Sequence, residues 1–217
     1  MSERPARTYG GQLLRLTVHI VIGLAVLAAV LTLAAWWLHS SYERGAAESA
    51  FVSTLERLDR STEPAALYAA LRDGVRRVSE DDAEITLFWL EGRRHRGDIP
   101  ALYFMAAYAE AAGWRDRALE YLAAARLAAR VDALACPDGN AAIERVERDL
   151  GLAPAVALLA GNPDARGRAI RWALDYEAAN WPRPTPAWLC GTGSAAPPAP
   201  AARAQARAEF EPSFASP

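Results

Sequence analysis

The sequence predicts an all-α protein: a single N-terminal transmembrane helix, a small domain of α-helical hairpins, and a disordered C-terminal tail. Three observations carry this. Residues 13–38 are almost wholly apolar. Downstream, proline-led helix starts recur at Pro64, Pro100 and Pro137, 36 and 37 positions apart. The last stretch, 191–217, is dominated by proline, alanine and serine.

The apolar stretch reads LLRLTVHIVIGLAVLAAVLTLAAWWL, with Arg15 its only strong charge. A helix needs roughly 20 apolar residues to cross a hydrocarbon layer of about 30 Å, and it satisfies its own backbone in lipid. The run exceeds the roughly 7–15 residues of a signal-peptide core. It ends in Trp36-Trp37, a pair suited to the headgroup region. Ala34-Ala35, between Leu33 and those tryptophans, makes a poor cleavage site, so an uncleaved anchor is expected. Arg4, Arg7 and Arg15 precede the core against Glu3, whereas Glu43, Arg44 and Glu48 follow it. Positive charge stays on the cytoplasmic side. Residues 1–12 are therefore expected inside and 41–190 outside. Thr17 and His19 can snorkel to the interface or meet a partner helix.

All 24 basic residues are arginine. That bias is typical of a GC-rich bacterial genome, so the expected setting is the bacterial inner membrane, with the domain periplasmic. Net charge is −2, which gives no general attraction to nucleic acid. Cys136 and Cys190 fit neither a haem nor a zinc motif. An oxidising compartment would favour a disulfide between them; in a reducing one they would be two free thiols.

Past the anchor, Ala47, Phe51, Leu55 and Leu58 share one helical stripe, with Gly45 a candidate bend before it. Unit one is expected as Pro64–Val78 followed by a helix capped by Ser79, with Asp82 three residues on. Gly74 sits oddly inside the first of these. Unit two is Pro100–Ala112 and Asp116–Arg130, broken at Gly113. Unit three starts at Cys136-Pro137-Asp138, runs from Ala141 to Leu150, is interrupted at Gly151 and Pro154, and continues from Asn162-Pro163-Asp164 through Ala179. The Trp181–Trp188 stretch, WPRPTPAW, is expected to end all helical structure.

In unit two, Ala106, Ala109, Gly113, Ala118, Leu122 and Ala125 resemble the small- and large-residue pattern of a tetratricopeptide repeat. The match covers one unit of about 34 residues. Unit one lacks the turn glycine and the paired small residues, and unit three is longer. The resemblance implies that stacked helix pairs bind another protein in a groove.

Charged clusters have ordinary explanations. Glu80, Asp81, Asp82 and Glu84 suit the positive end of a helix dipole. Arg93-Arg94-His95-Arg96 lies between Gly92 and Gly97, as an exposed turn would. His95 has no neighbouring nucleophile, so neither catalytic residues nor metal or cofactor ligands are assigned. Aromatic residues are the better candidates: Tyr103, Tyr108, Trp114 and Tyr121 for a partner-binding groove, and Phe210 and Phe214 for a docking motif in the tail. The expected function is a membrane-anchored, non-enzymatic protein-binding scaffold. It would hold a periplasmic or inner-membrane partner, as an assembly or maturation factor or alternatively as a stoichiometric subunit of a membrane complex. The lipid bilayer, engaged through residues 13–38, is the other partner.

Overall fold

The computed structural model describes residues 9–61, 63–136, 139–191 and 198–210. The side chains of 9–16, 38, 39, 41, 43, 47 and 48 fall outside that description, as do Glu3, Arg4, Arg7, Thr62, Pro137, Asp138 and Phe214. The described residues form helices and no strands. Two compact units divide at Gly45 and Ala46.

The first unit is built on α1 (Tyr9–Glu48). Its segment Thr17–Trp37 is long and apolar enough to cross a membrane. The apolar side chains face outward, with Leu33 64% and Trp36 66% exposed. Exposure on that scale is unfavourable in water and natural in lipid. Thr32 donates to the Ala28 carbonyl at 2.8 Å, so its hydroxyl is satisfied within the helix.

The second unit takes in the end of α1, which then gives way to α2 (Ala50–Arg60). The break comes at Ser49, whose side chain caps α2 by accepting from Val52 N. Gly45, the expected bend, remains inside α1. The next elements are α3 (Pro64–Gly74) and α4 (Glu80–Glu91). Ser79 caps α4 as its spacing predicts, accepting from Asp82 N at 3.1 Å. Asp82 in turn accepts from Ser49 Oγ at 2.7 Å, which links two helix starts through one carboxylate.

Helix α3 is shorter than expected, ending at Gly74 rather than Val78. A side chain at Gly74 would collide with the Phe51 ring and the Tyr108 hydroxyl. That hydroxyl donates to the Leu71 carbonyl at 2.8 Å. Helix α3 packs chiefly on α2, while α4 packs on α5 (Ala101–Ala111). Unit one is thus not a self-contained hairpin.

Helices α5 and α6 (Arg115–Ala133) pack on each other. Ala106, Ala109, Ala118, Leu122 and Ala125 are all buried. Gly113, at φ +77, ends α5, and the following Trp114 N–H reaches back to Ala109 O at 2.8 Å. This is a glycine-terminated helix end that satisfies an otherwise orphaned carbonyl. Gly151 ends α7 (Gly139–Asp149) in the same way. Next come α8 (Ala153–Gly161) and α9 (Pro163–Ala179), the latter capped by Asn162 as expected. Helix α9 packs extensively on α6. α6 therefore lies at the centre, bearing on α5, α7, α8 and α9.

Helical structure does not stop at Trp188. α10 (Ala187–Cys190) and α11 (Pro200–Ala208) follow. This corrects the expectation of an unpacked 191–217 within its described part. Ala206 and Phe210 are buried, and α11 packs on α6. The composition misleads because alanine is the best helix former and Pro200 opens the first turn. Cys136, just past α6, and Cys190, ending α10, stand at disulfide distance, with Cα atoms 5.1 Å apart.

Candidate binding cleft

A cleft of about 390 Å³ lies within the second unit, between the start of α5, the C-terminal half of α6, the end of α9 and the connector 181–186. Alternating prolines at 182, 184 and 186 keep the connector extended, because each ring fixes φ and disfavours a helical residue before it. Two bonds hold it in place. Trp188 N–H donates to the Gly97 carbonyl at 3.2 Å, and Arg183 donates to the Ala128 carbonyl at 3.1 Å. Tyr103, Tyr176, Trp181 and Trp188 form the aromatic wall. The rings of Tyr103 and Trp188 meet edge to face at 6.1 Å.

Beneath the wall lies a buried charge cluster. Arg183 donates to both oxygens of Asp132 at 3.2 Å. Glu177, whose side chain is fully buried, accepts from Arg203 at 2.8 and 2.9 Å and from Arg207. It also lies 3.9 Å from Arg183. Arg203 stands 4.6 Å over the Trp181 ring, a cation–π contact. Three guanidiniums therefore face two carboxylates. Burial pushes Asp132 up to about 6, even with Arg183 pulling the other way. Burial alone would raise Glu177 too, but the bonds from Arg203 and Arg207 hold it below its ordinary value.

At the rim, Arg93 and Arg96 are committed elsewhere. Arg93 pairs with Asp59 at 2.8 Å, and Arg96 pairs with Asp59 and Asp98. Arg94 is exposed and its Nε donates to His95 Nε2 at 3.2 Å. Among the described residues, Arg94 has no carboxylate partner. The RRHR turn expected as solvated is thus half structural and half free. Among the described residues no group of histidine, cysteine and carboxylate side chains could hold a metal.

The four aromatic candidates do not share one groove. Only Tyr103 reaches the cleft, and its hydroxyl is buried near Glu147, which pushes its pKa well above the ordinary phenol. Tyr108 is fully buried against Gly74 and Leu71. Tyr121 is buried, bonded through its hydroxyl to Glu91, with Trp172 edge-on at 5.5 Å. Trp114 is half-buried and packs edge-on against Phe88 at 5.8 Å. The reason lies in packing. An alanine-rich pair of helices leaves room that large rings fill, so tyrosines on α5 and α6 turn inward. Of the cleft's own residues, Trp181, Arg183 and Trp188 carry a visible signal in the WPRPTPAW stretch, where tryptophans flank prolines around one arginine. Asp132 and Glu177 carry none, since nothing in the sequence sets either apart from the other acids on its helix.

The fold and cleft define an all-helical domain joined to an apolar helix of membrane-crossing length. Compared with known proteins, the chain matches no family model, no curated protein and no solved structure.

Proposed function

We propose that the protein is a membrane-anchored binding scaffold, with the α1 apolar segment in a bacterial inner membrane, residues 1–12 cytoplasmic, and the helical domain displayed in the periplasm. The observation that carries this reading is the union of one outward-facing apolar helix with a domain bearing a preformed aromatic cleft. Aromatic-walled concavities are the usual seats of specific binding. The α5–α6 pair, closed by alanines, supports a tetratricopeptide-like hairpin and hence a protein as the partner. An oxidised Cys136–Cys190 bridge follows from the periplasmic assignment. The role that fits is an assembly or maturation factor for an envelope complex.

The test is detergent extraction of native membranes, affinity recovery and identification of what co-purifies. A partner recovered below stoichiometry and exchanging with added protein supports the assembly role. A fixed-ratio complex supports the stoichiometric-subunit alternative. A C-terminal reporter active only in the cytoplasm overturns the orientation.

A further inference from the structure

The cleft carries an imbalance of charge that its own walls do not resolve. Its lining sets Arg183 against Asp132 and Glu177, and Arg203 and Arg207 stand behind Glu177. Those arginines are only 19 to 26% exposed at their side chains, so solvent compensates the surplus charge poorly. At the rim stands Arg94, paired with no carboxylate among the described residues. Arg94 and Arg183 both pull down the Tyr176 phenol, which burial raises, while Glu91 adds to the rise. Two guanidiniums therefore face the hydroxyl end of one wall aromatic. The connector adds exposed Pro182 and Pro184 rings beside half-buried Trp181 and Trp188, a surface of the kind that extended peptides pack against.

Resting on the scaffold reading above, we propose that the cleft seats a short, extended acidic segment of the partner protein, with an apolar or proline side chain between Tyr176, Trp181 and Trp188 and a carboxylate on Arg94. The volume suits this occupant. It lies near the lower end of the roughly 300–1,000 Å³ typical of binding pockets, which is room for a few side chains rather than a docked helix. Asp132 tunes the site. It is faced by Arg183 from the connector and Glu177 from α9, with Arg203 and Arg207 of α11 behind Glu177. When it takes up a proton, the cluster's surplus positive charge grows by one, so an acidic segment binds more tightly below pH 6 than above it.

The experiment uses the full chain in detergent micelles and fluorescence anisotropy with a fluorescein-labelled peptide, AEPLPEFA, against its glutamine counterpart AQPLPQFA. The acidic peptide is expected to bind about tenfold more tightly, the effect of roughly 1.4 kcal/mol from one charge-assisted contact. Arg94→Gln, at an exposed position, should remove most of that preference without changing the melting temperature, and Arg94→Lys should restore part of it. Trp181→Ala should weaken both peptides alike. Lowering the pH from 7.5 to 5.5 should tighten the acidic peptide severalfold in the native chain and leave Asp132→Asn unchanged; persistence of the effect in that variant would overturn the tuning. Equal affinity for the two peptides, or indifference to Arg94→Gln, overturns the proposal. So does full displacement of the peptide by equimolar phenylbutyrate, which would make the occupant a small amphiphile. A partner recovered from membranes equally well by the native chain and by Arg94→Gln sinks this inference and leaves the scaffold standing. Failure to recover any partner sinks the scaffold, while peptide affinity is read independently.

Discussion

Glu177 is the residue on which the most contacts converge for the smallest sequence signal. Its buried carboxylate receives Arg203, Arg207 and, at longer range, Arg183. Removing it leaves those guanidiniums uncompensated, so Glu177→Ala should destabilise by about 3–5 kcal/mol, read from chemical denaturation. Acid acts oppositely on its neighbour. Asp132 is raised to about 6 in the folded chain and stays near its ordinary ~3.9 when unfolded. Between those values the folded state binds the extra proton, so this group's contribution to stability rises as pH falls through about 6. Glu177 is held below its ordinary value, so its stabilising contribution is present above that value and is lost as pH falls below it. The Asp132→Asn variant should therefore lose the stability gain that the native chain makes between pH 7 and 5. Identical melting curves for the two across that range would contradict the assignment. Gly74 belongs at this scale too. Gly74→Ala should destabilise by about 1–3 kcal/mol through overpacking against Phe51 and Tyr108, whereas an ordinary helix glycine would gain from the change. The sequence marked Gly74 as odd, but its reason lies in residues 23 and 34 positions away.

Helix starts were legible because their chemistry is local. Ser79, Asn162 and the proline at position 64 announce α4, α9 and α3 within four residues each. Partnering was not legible, since it depends on which faces meet. Helix α3 chose α2 over α4 because Phe51 fills the space beside Gly74. Helix α11 was hidden by composition. Its two arginines at 203 and 207 stand one turn apart, and nothing in the tail indicates that a buried acid on α9 awaits them. Ending the chain at Gly191 should lower the melting temperature and expose Ala-rich faces of α6 and α9 to dye binding. An unchanged melting temperature would mean that α11 contributes no net stability.

For the whole molecule, the apolar helix and the domain make separable predictions. A chain lacking residues 1–38 should remain in the aqueous fraction, while the full chain should resist alkaline extraction from membranes. A Cys136–Cys190 bridge would join residues 54 positions apart, worth about 4 kcal/mol in the chain-entropy account. Thiol labelling of unreduced protein should find neither cysteine, and two labelled thiols would count against the bridge. The apolar helix of membrane-crossing length was legible because hydropathy alone decides it. The cleft was only half legible. Its tryptophans and the prolines between them lie together in the chain, but its carboxylates, Asp132 and Glu177, come from helices far apart in sequence.

The central position of α6 bears on ancestry and engineering alike. A tandem array grows by adding a module at either end, because each module leans on its neighbours alone. Here the C-terminal helices fold back onto one shared axle: α9 and α11 both pack on α6. Helices that share one axle in this way should melt in a single step rather than fray module by module.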